Sequence, residues 1–138
     1  MSPLDLTQAP PRSPKTELHG LIMLPRMIDI ARARLPGGKV GEYQIGRGMS
    51  ALVLRSFTLN ADQFVRIVSE AQSDEDVYEK AGGGDHSKVN RVLQRLKVSD
   101  IPPDLRVQFE AFYGAEQAQD RCVVDLIEED DARAFPKK

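Results

Sequence analysis

Tryptophan is absent from this 138-residue chain, which carries only 3 tyrosines and 5 phenylalanines. A core must therefore be built mainly from leucine, valine, isoleucine, methionine and alanine. Cysteine occurs once, at Cys122. An intramolecular disulfide and a cysteine-rich metal centre are both excluded. Cys122 falls in the apolar stretch with Val123, Leu126 and Ile127, and is expected to be a small buried hydrophobe. Neither sign of charge dominates: 19 basic and 21 acidic residues leave a formal charge of −2. Such a balance supplies no overall field toward nucleic acid or an anionic membrane. Long apolar runs are missing too. The longest, Leu21 to Pro25, is far below the ~20 residues that span a bilayer. No apolar leader segment precedes the body, so a cytoplasmic location is expected. His19 and His86 are the only histidines, with no His-Glu-x-x-His spacing, and neither a metal nor a cofactor is expected.

Hydrophobic residues make up 41% and charged residues 29%, a globular composition. The length suits a single domain over 1–138. Within it, residues 1–16 hold Pro3, Pro10, Pro11 and Pro14, which restrict the backbone and remove donors. They predict an extended arm, docked through Leu4 and Leu6 or frayed. Residues 17–138 form the body.

The body reads as helices. Leu24, Met27, Ile28, Ala31 and Leu35 follow i, i+3, i+4, i+7 spacing and predict a helix over 24–35, with Pro25 in its first turn. Arg26, Asp29 and Arg32 fall on its other side, where Asp29 can meet both arginines. Residues 39–48 are interrupted by three glycines and predict an ordered loop with one short extended piece at most. A short helix over 49–57 would be capped by Ser50. Asn60 and Gln63 make a capping box for a helix over 60–71, with Phe64, Ile67, Val68 and Ala71 inward. Ser73 caps the next, over 73–81, which Gly82-Gly83-Gly84 ends. Asp85 or Ser87 caps a helix with Val89, Val92, Leu93 and Leu96 inward. Residues 103–113 predict a helix with Leu105, Phe109 and Phe112 inward, and 115–130 a last one through Ala118, Cys122, Leu126 and Ile127. The tail from Asp130 is expected to fray, with Phe135 able to dock. The fold class is all-α: an irregular bundle of five to seven short helices with an extended Pro-rich N-terminal arm.

The segments Pro11-Arg12-Ser13-Pro14, Leu24-Pro25-Arg26-Met27-Ile28-Asp29, Ala31-Arg32-Ala33 and Gly41-Glu42-Tyr43 occur in this order, with Leu18 and Gly20 between the first two. In this the chain resembles an uncharacterised bacterial family, the domain of unknown function DUF5069. The helix over 60–71 with Ser73-Asp74-Glu75, and the acidic end Asp125 to Asp130, are similar to its second half. The resemblance implies a compact, soluble protein and no particular activity. Many relatives carry Cys-Pro-Leu-Asp soon after Gly-Glu-Tyr. Here that place reads Gly46-Arg47-Gly48-Met49-Ser50, so chemistry built on a cysteine there would be absent.

The most suggestive constellation is His19, Arg26, Asp29, Arg32, Arg34, Glu42 and Tyr43, beside two glycine-bearing turns. Arginines converging with a carboxylate can bind an anion through bidentate hydrogen bonds. They can equally form ion pairs on a solvated face or lock the loop onto the helix. The favoured reading is a non-enzymatic module that binds a protein partner or an anionic small molecule there. The alternative is a small enzyme, with Asp29 or Glu42 as general base, Tyr43 or His19 as acid, and Arg26 and Arg32 holding an anionic substrate. A homo-oligomer joined through the arm is a third reading. The basic face Lys88, Arg91, Arg95 and Lys97 lacks interleaved aromatics, so nucleic acid is not the expected partner. The glycine turns at 46–48 and 82–84 match neither phosphate-loop pattern. The acidic run Glu128 to Asp131 reads as a solvated terminus.

Overall fold

The computed structural model describes residues 1–136. Helix dominates it, as the periodicity predicts, but a small hairpin corrects the all-α assignment. Strands β1 (Glu17–Leu18) and β2 (Leu21–Ile22) pair antiparallel, Glu17 opposite Ile22 and Leu18 opposite Leu21. The two-residue turn puts His19 at φ 51° and Gly20 at φ 74°. Tight hairpin turns demand this left-handed backbone, and glycine meets it more readily than histidine. The helices that follow are α1 (Leu24–Ala33), α2 (Met49–Ser56), α3 (Ala61–Glu70), α4 (Asp74–Lys80), α5 (Ser87–Arg95), α6 (Pro103–Tyr113) and α7 (Val123–Ala134). A single 3-10 turn, Val98–Asp100, joins α5 to α6.

Helix α1 is the centre of the molecule. It packs against the hairpin, α2, α3 and α4. Leu24, Met27, Ile28 and Ala31 are fully buried, as their spacing predicts. Arg26 and Asp29 are buried as well, so the helix has no solvated charged face of the kind expected. Among the described residues Phe64 is the sole aromatic with a fully buried side chain; aliphatic residues and Met27 fill most of the remainder.

The N-terminal arm is docked. Leu6 donates its amide to the carbonyl of Lys39 at 2.7 Å, and Lys39 donates to the carbonyl of Leu4 at 2.9 Å. Leu6 and Pro14 are buried.

Helix caps agree with the sequence in α3 and α4. Asn60 and Gln63 exchange both capping-box bonds at 2.8 Å, and Ser73 accepts from the amide of Asp76. Two other expected caps are replaced. Gly48, at φ 58°, precedes α2, while the Ser50 hydroxyl accepts from the amide of Gly46 and donates to the carbonyl of Arg47. His86 precedes α5, while Asp85 accepts from the amide of Ser87 and braces the turn.

The C-terminal third departs most. Residues 115–122 are turns rather than helix, and α7 begins only at Val123. The backbone there pairs instead with the strand-like stretch after α5: Val123 donates to Leu96, and Val98 to Arg121. These long-range bonds replace the local ones a helix would have made, and they leave Cys122 half-buried and extended. Val92, Leu105 and Phe112, expected inward, are exposed at 51%, 54% and 62%. At the other end α7 runs on to Ala134, beyond where the polar composition suggested fraying. Lys137 and Lys138, the end of that tail, lie outside the described residues.

Candidate functional site

The expected cluster does not converge on one point. Arg26 turns away from Asp29 and grips Asp131 on α7, with Nη1 and Nη2 donating at 2.6 and 3.1 Å. Both side chains are more than nine-tenths buried. The Tyr43 hydroxyl donates to the same carboxylate at 3.0 Å, and its ring lies under the guanidinium, 5.3 Å from centroid to Cζ. Burial, then the adjacent Asp131 carboxylate, pushes the Tyr43 phenol well above its ordinary range. The acidic run at the C-terminus is solvated only in part: Asp131 is buried and holds Arg26 and Tyr43, and Glu128 accepts from the Ser13 hydroxyl at 2.5 Å, while Glu129 stays exposed.

Asp29 pairs with neither Arg26 nor Arg32. It accepts from the backbone amide of Arg12 at 2.8 Å and from that residue's guanidinium at 3.0 to 3.2 Å. Arg12 also spans to Asp74, at 2.6 and 3.1 Å. The hydrogen bonds to Asp74, then those to Asp29, raise the Arg12 guanidinium further above its ordinary value. One arginine of the arm therefore ties α1 to α4. Lys15 continues the attachment, reaching Asp125 on α7 at 2.6 Å.

The other expected members are dispersed. His19 sits 2.7 Å from Glu75 and stacks on Tyr78, ring centroids 4.1 Å apart. Arg32 donates to the carbonyl and hydroxyl oxygens of Ser2. Arg34 reaches Asp62 at 3.7 Å. The Glu42 side chain is exposed and makes no hydrogen bond or ion pair among the described residues.

Two open clefts are of interest among the described residues. One, of about 580 Å³, lies between the arm and α1, where Arg12, Asp29, Arg32 and Asp74 share its lining with Leu4 and Leu6. It brings Asp29 and Arg32 together, with cations and carboxylates mixed. The second, of about 420 Å³, is lined by Ser56, Asp85, His86, Ser87, Lys88 and Arg91. The His86 ring packs on Phe57 at 3.9 Å. Its Nε2 faces the carbonyl oxygen of Gly83 at 2.7 Å and must carry the proton, because a carbonyl only accepts. Its Nδ1 is 3.0 Å from the Ser56 hydroxyl. Hydrogen bonds from Ser87 hold the Asp85 carboxylate below its ordinary range. Neither Lys88 nor Arg91 has a carboxylate within ion-pair distance among the described residues, nor have Arg95 and Lys97 farther along.

The sequence marks this basic face but gives no sign that Ser56 and His86 close a cleft beside it. The one available signal is the run from Gly82 to Lys88, where three glycines deliver polar residues to a helix start. Among the described residues no group of His, Cys, Asp and Glu is placed to hold a metal ion. No helix there is long and apolar enough to cross a membrane.

Residues 8–133 match the model of the family described as Domain of unknown function (DUF5069). The chain belongs to that family. The match takes in the arm's Arg12, the central helix and Asp131, so the whole ion-pair framework lies inside the DUF5069 domain. A search of curated proteins found no match.

Proposed function

We propose that this DUF5069 protein is a non-enzymatic binding module for a small anionic molecule, held in the cleft beside α5. The observation that carries the reading is the contrast between its two groups of cations. Arg12 and Arg26 are engaged by carboxylates, whereas Lys88 and Arg91 make no ion pair among the described residues, and Asp85, the carboxylate in the lining of their cleft, is turned to Ser87. An anion there gains charge-assisted hydrogen bonds without displacing a partner. The reading moves the expected anion site away from the Arg26–Tyr43 region, because Asp131 already occupies the donors there. A lone cysteine with no disulfide partner fits a reducing compartment such as the cytoplasm.

The enzyme alternative has one observation in its favour: Asp29 and Arg32 line the larger cleft together. Against it, both Asp29 oxygens already accept from Arg12, Glu42 does not line that cleft, and the Tyr43 proton is engaged by Asp131.

The test is a titration of the labelled protein with inorganic pyrophosphate, followed by amide chemical shifts. Saturable shifts confined to residues 85–91 and Ser56, abolished by Lys88→Ala with Arg91→Ala, would support the module. Shifts centred on Asp29 and Arg32 would favour the larger cleft. No saturable shift at millimolar pyrophosphate would refute an anion site beside α5.

A further inference from the structure

The cleft beside α5 offers more than cations. Next to Lys88 and Arg91, His86 contributes a ring, Val89 an apolar side chain, Ser87 a hydroxyl and Asp85 a carboxylate. The contacts of the ring fix what it can present. One face of His86 packs on Phe57, with centroids 3.9 Å apart. Both nitrogens are engaged, one at the Ser56 hydroxyl and one at the carbonyl of Gly83. Tyr78 stands edge-on to both rings, 6.1 Å from Phe57 and 6.3 Å from His86. Being nearly equidistant from the two, it flanks their stack. A ring over the far face of His86 would lie much farther from Phe57 than from His86. The half-buried imidazole therefore turns to the cleft the face that points away from Phe57. The two rings come from the end of α2 and the loop before α5, so the basic helix itself reads as bare of aromatics.

Asp85 adds a second constraint. One of its oxygens accepts from the amide of Ser87, and the other makes no hydrogen bond among the described residues. A bare inorganic anion would use Lys88 and Arg91 but meet this carboxylate as a like charge. A ligand that satisfies every wall carries phosphate for the cations, hydroxyl donors for Asp85 and a flat aromatic face for His86. We propose that the ligand of this cleft is a nucleoside diphosphate, its base stacked on His86, its ribose hydroxyls on Asp85 and its phosphates on Lys88 and Arg91. The inference rests on the anion-binding reading above and names the class of ligand. The cleft, about 420 Å³, has the size of a site for one small molecule. Stacking of one base on an aromatic side chain strengthens binding by about tenfold or more.

Calorimetric titration of the full chain with ADP, pyrophosphate and adenosine, in magnesium-free buffer at neutral pH, tests it. ADP is expected to bind about tenfold more tightly than pyrophosphate, and adenosine more weakly than ADP. His86→Leu should abolish the preference for ADP and leave pyrophosphate binding in place, which also reports that the cleft is intact. His86→Phe should keep the preference, because the stacking face survives without the ring nitrogens. Asp85→Asn retains an acceptor for the Ser87 amide, and should tighten pyrophosphate while narrowing the ratio between the two ligands. Pyrophosphate binding with no preference for ADP would overturn the nucleotide and leave the anion module standing. A preference indifferent to His86→Leu, or lost equally in His86→Phe, would overturn the stacking role. Binding of neither phosphate compound would overturn both readings. Affinity that climbs with the length of an oligoadenylate would overturn the mononucleotide in favour of a strand.

Discussion

Arg26, in the first turn of α1, and Asp131, near the end of α7, form a buried ion pair across 105 positions of sequence. Tyr43 caps the pair from the loop after α1, so one carboxylate joins the central helix, that loop and the last helix. Burying both charges carries a desolvation cost, offset only while each has its partner.

Removing one partner should therefore be severe. Arg26→Ala or Asp131→Ala is expected to lower stability by about 3–5 kcal/mol, because the other charge is left buried and unpaired. Arg26→Met with Asp131→Leu should cost clearly less than the sum of the two single losses. Urea denaturation of the four proteins measures both. Equal additivity would mean the pair is not coupled as its geometry indicates.

Arg12 fastens the arm. Arg12→Ala removes bonds to Asp29 and Asp74 together and leaves the buried Asp29 without its cation. The guanidinium is about one-third exposed, which screens part of the effect, so a loss of about 2 kcal/mol is expected. Arg12→Lys should recover little of it, since an ammonium cannot span two carboxylates as the planar fork does. Limited proteolysis should find residues 1–16 cut faster in both variants; unchanged cleavage would place the arm's attachment elsewhere.

Alkaline pH should loosen the fold through Tyr43. Its phenol is raised above the ordinary value of 10.0 by burial and by Asp131. The folded state therefore keeps a proton that the unfolded chain releases. The stability this contributes is complete below pH 10 and is lost as pH rises toward the folded value. Burial acts on Tyr113 in the same direction. Tyr43→Phe should cost about 1 kcal/mol at neutral pH through the lost hydrogen bond. It should also show a shallower decline above pH 10, read from urea midpoints across that range.

Two apolar positions separate core from surface. Phe64 is fully buried, and Phe64→Ala should cost about 3–5 kcal/mol through the cavity it leaves. Val92 belongs to a stripe that reads as core but is 51% exposed, and Val92→Ala should fall within about 0.5 kcal/mol of wild type. Thermal melts of the two variants decide between the periodicity and the packing.

How far the sequence reaches differs along the chain. Helices α1, α3 and α4 are legible because their signals are local: a proline at the start, a capping box, a serine before three acids, and an apolar stripe of helical period. The hairpin at 17–22 is not, since His19 occupies a turn position where glycine or asparagine is the usual signal. The break at 115–122 is hidden because Ala118, Cys122 and Leu126 keep helical spacing while the backbone bonds to residues far away.

The candidate sites divide in the same way. Residue type and spacing single out Arg26, Asp29, Arg32 and Tyr43. Which partner each takes was not, for charges on one helix face look equally able to pair with one another. Arg12 and Asp131 displaced the short-range pairings because folding brings them in from both ends of the chain.

By itself, then, the sequence determined what local chemistry controls: the largely helical class, the caps at Asn60 and Ser73, the central helix, and the exclusion of an intramolecular disulfide or a cysteine-rich metal centre. Only the tertiary structure decided which charges are neutralised and which remain available, because a long-range ion pair depends on the distance between elements and on the water excluded between them. Neither is encoded in any window of neighbouring residues. That is why Lys88 and Arg91 line a cleft with no ion-pair partner among the described residues, while Arg26, the more suggestive residue in sequence, is held inside the fold.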